Sequence, residues 1–313
     1  MTVAEESASG RAAGRWRARY LFDRERLLGP AMMLPAVVYL ILVVAYPLVL
    51  AFLYAFSDVT TGSQSLHFVG FRTFIAAVQD PVFLTTLRNT FVFTAVSQLL
   101  VVVLSTVLAF VLTADFRGRW VVRLLVLMPW ATPVALSSVI WLWMLDSIFS
   151  PFDWFAQVLG IVPSGGHIVF LGQSGLAMGS VIALQTWRVL PLATVILIAG
   201  LSAIPADVKD AAEVDGAGFW RRLFGITLPL LTPVMTVALL FGIVFTFTDM
   251  AVVYVLTGGG PGNATQVLAS WAFYKGINGG NLAVGAADAL IMFPVLLGLA
   301  AIMLRLASRA EVT

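Results

Sequence analysis

Long apolar stretches constrain this chain more than any other feature of its sequence. The hydrocarbon core of a bilayer is about 30 Å thick and takes about 20 helical residues to cross. Six segments reach that length: residues 28–56, 86–114, 120–147, 176–203, 223–256 and 282–306. Several exceed it, which predicts tilted helices or helical extensions beyond the lipid. The sequence therefore predicts an all-α polytopic membrane protein with six transmembrane helices.

Composition agrees with this class and excludes several functions. Hydrophobic residues make up 60% of the chain and charged residues 11%, with a mean hydropathy of +0.98, whereas soluble domains carry about 25% charged residues. The chain has no cysteine, which excludes disulfides and thiolate chemistry. Its two histidines, His67 and His167, are far apart in sequence, so no metal site is expected. A net charge of +2 on scattered arginines does not indicate a nucleic-acid partner.

Basic residues predict the orientation, because lysine and arginine concentrate on the cytoplasmic side of a membrane. A cytoplasmic N-terminus places 14 of them inside and only Arg72, Arg88 and Lys275 outside. Residues 1–27 lack a short apolar core followed by a cleavage site, so we expect a retained cytoplasmic tail. The predicted organisation is this tail, a six-helix membrane domain at 28–308 and a cytoplasmic C-terminal tail at 309–313.

A charged segment rich in small residues, 204–222, separates the fourth and fifth apolar segments. Pro205 suits the first turn of a helix, and Asp207 near its start is favoured by the helix dipole. Ala211 and Ala212 leave a low-profile face, while Gly216 is suited to a left-handed helix end. An alternative is a loop that is polar only because water surrounds it.

The spacing in this segment resembles that of a known family. The pattern consists of Asp210, Ala211, Ala212, Gly216, Ile226, Leu228 and Pro229. It is similar to the cytoplasmic EAA loop in the membrane subunits of binding-protein-dependent ABC importers, which reads Glu-Ala-Ala, three residues, Gly, nine residues, Ile, one residue, Leu-Pro. Asp210 replaces the glutamate, which keeps the carboxylate but shortens its reach.

A second segment, 254–276 (YVLTGGGPGNATQVLASWAFYKG), resembles the region before the last span in carbohydrate permeases of the maltose and glycerol-phosphate type. Its alternative interpretation is a flexible Gly-Pro turn. The resemblance extends from about residue 28 onward and is nearest to trehalose-importing members. It implies a type I ABC importer permease fold and a permease subunit for trehalose, with maltose-like oligosaccharides or glycerol 3-phosphate as the alternatives.

The resemblance also implies partners in a bacterial inner membrane. Residues 205–217 would be a coupling helix that docks on a cytoplasmic ATPase, with six residues at the contact: Asp210, Ala211, Ala212, Glu213, Asp215 and Gly216. A phosphate-binding P-loop needs Gly-Lys before Ser or Thr, and neither Lys209 nor Lys275 is in that setting. ATP and Mg²⁺ would therefore belong to two ATPase copies. The other partners would be a second homologous permease and an extracytoplasmic sugar-binding lipoprotein.

Polar residues inside the apolar segments indicate a substrate path, because a charge at the bilayer centre costs roughly 2.5–3.5 kcal/mol on insertion scales. The candidates are Gln185, Arg188 and Leu192 in the fourth segment and Phe245, Thr246 and Asp249 in the fifth. Amides and carboxylates bond sugar hydroxyls, and an aromatic ring packs on the apolar face of a pyranose. We expect Gln185, Asp249 and Asp288 at similar depth, with Asp288 near the outer interface and solvated.

Three alternatives stay open at this point. Arg188 and Asp249 would neutralise one another between packed helices if their role were structural. An ion-coupled secondary transporter would use Asp249 or Asp288 as a proton relay, without needing the coupling loop. A polytopic membrane enzyme would need a nucleophile, a metal cluster or an acid-base pair at the membrane edge, and none is evident in the sequence.

Overall fold

The computed structural model describes residues 25–63, 66–163 and 165–310. Within these ranges the chain is helical apart from its connecting segments and two isolated β-bridges. Residues 1–24 of the predicted N-terminal tail and 311–313 of the predicted C-terminal tail lie outside the described residues. We number the helices in chain order: α1, Glu25–Leu40 continued by a π-helical turn Ile41–Ala45 and by Tyr46–Ala55; α2, Arg72–Val78; α3, Phe83–Thr113; α4, Arg119–Ala131; α5, Val134–Met144; α6, Pro151–Val158; α7, Ser174–Ala203; α8, Ala206–Val214; α9, Phe219–Arg222 continued by a π-helical turn Leu223–Thr227 and by Leu228–Phe247; α10, Ala251–Leu256; α11, Leu268–Phe273 continued by a π-helical turn Tyr274–Asn278; and α12, Leu282–Ala310.

The described helices confirm a polytopic, all-helical membrane protein. Five are long and apolar enough to cross a bilayer by themselves: Gly29–Ala55, Phe83–Thr113, Ser174–Ala203, Phe219–Phe247 and Leu282–Ala307. The sixth candidate is the pair α4 and α5, which are bent by 103° relative to one another. The described residues up to Leu53 belong to one compact unit and those from Tyr54 onward to another, so α1 is described only by its bounds.

Two predicted segments are broken rather than continuous. The segment 120–147 bends because Thr132, which precedes Pro133, adopts an extended backbone with φ −82° and ψ 131°, as residues before proline commonly do. The segment 223–256 divides after Phe247, and α10 begins at Ala251. The Asp249 carboxylate accepts a hydrogen bond of 2.9 Å from the backbone N–H of Val252 and so caps the new helix.

The core of the second unit is built in layers along α3, α7 and α9. At one end Phe93 of α3 packs with Leu184 of α7 and Phe247 of α9. At the other end three residues meet: Ala109, Leu197 and Leu231. The starts of α3 and α7 therefore lie at the same end as the finish of α9. It follows that α3 and α7 run in the same direction and α9 runs back against them.

The segment that joins α5 to α7 is held by one buried carboxylate. Asp153 in α6 accepts hydrogen bonds from the backbone N–H of Ile168 at 2.9 Å and from the side chain of Gln157 at 3.2 Å. His167 lies 2.8 Å from the same carboxylate. The bonds from Ile168 and His167 hold the pKa of Asp153 below its ordinary value. The polar side of α6 is therefore satisfied from within the chain.

The glycine-rich segment before α12 is ordered by side chains from α3, and the interpretation as a flexible turn is wrong. The Nδ2 amide group of Asn89 lies 3.0–3.2 Å from three carbonyl oxygens of the segment, those of Asn263, Ala264 and Gln266, and its two hydrogens are shared among them. Thr90 accepts a bond of 2.8 Å from the N–H of Leu268. Residues 265–272 are all buried.

Glycine is required where α12 meets the turn that follows α11. A Cβ atom on Gly285 would lie 2.5 Å from the Cα of Gly276 and 2.7 Å from the carbonyl oxygen of Ala272. Both are backbone atoms, so the clash cannot be relieved by a rotamer change. This contact fixes the start of α12 against the preceding segment.

Replacing Gly285 with alanine should therefore lower the thermal midpoint of the detergent-purified protein, because overpacking costs roughly 1–3 kcal/mol. Gly298→Ala is the matched control in the same helix, since a Cβ there would meet nothing within 4 Å. The control should leave the midpoint unchanged or raise it, because alanine favours helix over glycine. Equal midpoints for the two variants would contradict the close contact.

Candidate functional site

A buried polar layer crosses the bundle between α3, α7 and α9. The side-chain amide of Gln185 donates to the hydroxyl oxygen of Thr246 at 3.0 Å. Gln98 of α3 donates to the same oxygen at 2.8 Å. A Cβ on Gly242 would lie 2.0 Å from the amide oxygen of Gln98, so this glycine leaves room for the glutamine. Two of the predicted residues, Gln185 and Thr246, are thus in direct contact.

Several atoms in this layer have no hydrogen-bond partner within the described chain. The amide oxygens of Gln98 and Gln185 are both buried without a donor, as is the hydroxyl of Thr186. Buried polar atoms are nearly always paired in native proteins. Free amide oxygens accept hydrogen bonds, so the layer is chemically suited to groups that donate them, such as hydroxyls.

An ion pair lies about one helical turn from this layer, between α7 and the break that follows α9. The guanidinium of Arg188 is 2.5 Å from the carboxylate of Asp249, and the two side chains are only 15% and 7% exposed. The second oxygen of Asp249 is engaged by the N–H of Val252. Removing one partner of such a buried pair typically costs about 3–5 kcal/mol. The structure therefore contains the ion pair that a structural role for Arg188 and Asp249 requires. In this arrangement each of the two charged groups is neutralised by the other.

The remaining predicted residues of the site stand apart from the polar layer. Phe245 is 41% exposed and packs edge to face on Trp130 of α4, with ring centroids 5.6 Å apart. Leu192 is half-buried on α7, one turn beyond Arg188. Neither takes part in the hydrogen bonds that join Gln98, Gln185 and Thr246.

Asp288 is placed differently from the prediction. It is 1% exposed, and within the described residues both of its carboxylate oxygens lack a hydrogen-bond partner, so the expectation that water solvates it is wrong. Its charged neighbours include Asp80 and Lys275, which form an ion pair of 2.5 Å with one another. Asp288 therefore belongs to a group between α12 and the segments flanking α2 and α11. No sequence pattern indicates the pairing of Asp80 with Lys275, because Asp80 follows α2 and Lys275 lies far along the chain in the π-helical turn of α11.

A short helix, α8, connects α7 to α9 at the opposite end from these groups. Gly216 has φ +66°, and its N–H donates to the carbonyl of Glu213 at 3.1 Å. The next N–H, that of Ala217, donates to the carbonyl of Ala212 at 3.0 Å. These two bonds form a Schellman motif, in which glycine is favoured because it adopts a left-handed conformation without strain. The predicted left-handed helix end is therefore present.

The exposed face of α8 differs in one respect from the prediction. Ala212 is only 6% exposed and is covered by this chain, so it does not contribute to an open, low-profile face. Asp210, Ala211, Glu213 and Asp215 are exposed. Val214 is 88% exposed, an uncommon degree of exposure for a valine. Among the side chains of α8 that the structure describes, the free surface is therefore acidic, with Val214 as its large apolar side chain.

The connection between α8 and α9 is reinforced at its surface. Arg222 lies 3.8 Å from Glu213, and both side chains are solvent-exposed. Exposed ion pairs contribute about 0–1 kcal/mol, so this contact biases the angle between the helices but does not fix it.

Within the described ranges, no three His, Asp or Glu side chains come together in a way that would hold a metal ion.

Comparison with known proteins identifies the family. Residues 101–312 match the family described as "Binding-protein-dependent transport system inner membrane component". The trehalose/maltose transport system permease protein MalF of Thermococcus litoralis is 33% identical over 282 residues, which cover 90% of this chain and 94% of that protein. The sulfoquinovosyl glycerol transport system permease protein SmoG of Agrobacterium fabrum is 31% identical over 293 residues, covering 93% and 94%.

A solved structure supports the fold. A chain from the crystal structure of a bacterial ABC transporter involved in the import of the acidic polysaccharide alginate superposes with a TM-score of 0.78 at 19% identity, covering 94% of this chain and 99% of that one. The family match over residues 101–312 and the 33% identity to MalF over 90% of this chain show the family, while the solved structure shows the fold. This chain belongs to the family of binding-protein-dependent transport system inner membrane components.

Proposed function

We propose that this chain is a permease subunit of an ATP-driven importer for a sugar, and that its substrate is the disaccharide trehalose. The relative named for trehalose and maltose supports this assignment. A relative of nearly equal identity is named for sulfoquinovosyl glycerol, so identity at this level does not determine the sugar. Maltose-like oligosaccharides are the closest alternative. Glycerol 3-phosphate is less suited, because a phosphate favours more positive charge than Arg188 alone supplies.

One observation carries the proposal: the helices that hold α8 also carry the buried polar groups. Gln185 and Arg188 lie on α7, while Thr246 lies near the end of α9 and Asp249 in the break that follows it. α8 joins the other ends of the same two helices. A force applied to α8 therefore acts on both helices that form the polar contacts, as rigid-body switching requires.

In the assembled importer, α8 would dock on a cytoplasmic ATPase through Asp210, Ala211, Glu213, Asp215 and the turn at Gly216. Two ATPase copies would hold ATP and Mg²⁺, and a second homologous permease would complete the membrane pathway. An extracytoplasmic sugar-binding protein would deliver the substrate to the side opposite α8. Both termini of this chain would then lie in the cytoplasm. Closure of the ATPases would push α8 and change the angle between α7 and α9.

The polar groups would bind the sugar when α7 and α9 separate. The free amide oxygens of Gln98 and Gln185 would accept hydrogen bonds from hydroxyls, and Asp249 would do the same once Arg188 releases it. In the present arrangement the Arg188–Asp249 pair holds the two helices together. The pair would therefore act as a structural latch in one conformation and as a ligand contact in another.

The substrate assignment is tested by uptake of labelled trehalose in a strain that lacks the gene for this chain, with and without complementation. Uptake should depend on the complementing gene and should be competed by unlabelled trehalose more strongly than by maltose. Stronger competition by maltose would identify maltose-like sugars as substrates. Uptake by vesicles that contain this chain alone, driven by an ion gradient, would contradict the ABC mechanism itself.

Replacing Gly216 with valine should uncouple ATP hydrolysis from transport. A β-branched residue in the left-handed conformation costs roughly 1–2 kcal/mol and would distort the end of α8. Gly218→Val is the matched control, because Gly218 has φ −64° and open space around its Cβ position. We expect the ratio of sugar imported to ATP hydrolysed to fall for Gly216→Val only. Equal ratios for the two variants would contradict a coupling role for α8.

Replacing Asp249 with asparagine should impair assembly, because Arg188 would be left buried without its counter-charge, at about 3–5 kcal/mol. The double variant Arg188→Gln/Asp249→Asn removes both charges and should recover assembly, measured as the yield of the purified complex. Sugar uptake should stay low in the double variant, because these side chains also contact the substrate. Full recovery of uptake together with assembly would show that the pair has only a structural role.

A further inference from the structure

The short helix α6 presents an apolar face that nothing in the described chain covers. Phe155, Val158 and Leu159 are spaced three and four residues apart and therefore lie on one side of the helix. Their exposures are 57%, 62% and 72%. Trp154 packs on Phe155 with ring centroids 4.9 Å apart and extends the same surface. We call these four residues the outer face of α6.

The opposite face of α6 is turned inward and is polar. Asp153 is buried and bonded to Ile168, Gln157 and His167. Ser150 caps the helix by accepting a bond of 3.2 Å from the N–H of Asp153. Phe152, which is 38% exposed, packs against Trp141 of α5, with centroids 6.1 Å apart. The orientation of α6 is thus fixed from within, and the helix cannot rotate its apolar side inward.

The outer face continues on both sides along the chain. Ile148 and Phe149 before the helix are 67% and 75% exposed, and Ile161 after it is 71% exposed. Between residues 147 and 162 the only charged side chain is Asp153, which is buried. An uncharged, aromatic and aliphatic surface of this extent, exposed to water, would be unfavourable.

The surface is also continuous along the chain with exposed apolar side chains of a candidate membrane span. Val139, Ile140 and Trp143 of α5, which immediately precedes this segment, are all more than half exposed, and α5 belongs to a candidate membrane span. Tryptophan and phenylalanine next to aliphatic residues are typical of segments at the boundary between lipid headgroups and acyl chains. A protein partner would more commonly be met by a surface with a polar rim, whereas the exposed side chains between residues 147 and 162 are uncharged.

We propose that the outer face of α6 lies in the lipid bilayer at the headgroup boundary, so that α6 is an interfacial anchor parallel to the membrane plane. The anchor would fix the depth of the segment that joins α5 to α7 and would hold it at the end of the bundle opposite α8. The occupant of the surface is lipid, in preference to a second permease or a binding protein. This inference depends on the membrane fold and not on the identity of the transported sugar.

The absence of cysteine from the chain allows a direct test with single-cysteine variants. Phe155→Cys, Val158→Cys and Leu159→Cys would each carry a nitroxide spin label in the complete importer, reconstituted in lipid nanodiscs. Collision of the label with oxygen, which concentrates in lipid, would be compared with collision with a nickel chelate, which stays in water. Leu42→Cys in the apolar α1 and the exposed Gln173→Cys serve as references for lipid and water.

Gln157→Cys is the matched control, because Gln157 lies on the inner face of the same helix. Labels on the outer face should collide with oxygen several-fold more than with the nickel chelate, at a depth between the two references. The label at residue 157 should be shielded from both reagents. Nickel collision at the level of Gln173→Cys would contradict the proposal by placing the face in water. Shielding from both reagents at all three outer positions would contradict it by showing that a protein partner covers the face.

Discussion

The hydrogen-bonded and ionic contacts between α7 and α9 are the interaction on which the rest of this structure depends. Apolar side chains gain little by leaving lipid for a neighbouring helix, so close packing and polar contacts decide which helices pair in a membrane. Gln185 bonded to Thr246, and Arg188 paired with Asp249, supply that specificity along one line of the bundle. The amide oxygen of Gln185 is an unpaired acceptor in this arrangement. The carboxylate of Asp249 would become one if movement of the helices separated it from Arg188. The same contacts therefore define both the resting geometry and the chemistry of the site.

The position of α8 gives these contacts a mechanical context. α7 and α9 run in opposite directions, and α8 joins the ends that lie away from the polar groups. The Schellman motif at Gly216 ends α8 sharply, so the helix and the turn move as one piece. Because Arg222 and Glu213 form only an exposed contact of 3.8 Å, the angle between α8 and α9 is adjustable at low energetic cost. A short helix with a fixed end and a weakly held angle to α9 is suited to transmit a force from its exposed surface to α7 and α9.

The sequence was sufficient to predict the membrane class, the approximate helices and the end of α8, because each follows from a local pattern. Apolar length predicts a span, and Gly216 after a run of helix-forming residues predicts a left-handed cap. The burial of Ala212 and Asp288 was not predictable, because it depends on which helices meet. The breaks at Pro133 and before Ala251 were missed for a related reason. Hydropathy is continuous across both, while a proline and a capping aspartate interrupt the helix without making the segment polar.

Contact between α8 and an ATPase is the central claim, and site-directed crosslinking measures it most directly. Val214 is 88% exposed on α8, and the chain has no cysteine of its own, so Val214→Cys places one photoreactive label on that surface. In the assembled importer the label should crosslink to the nucleotide-hydrolysing subunit, and the yield should change when ATP is added. A label that crosslinks to no such subunit while sugar transport continues would contradict the account.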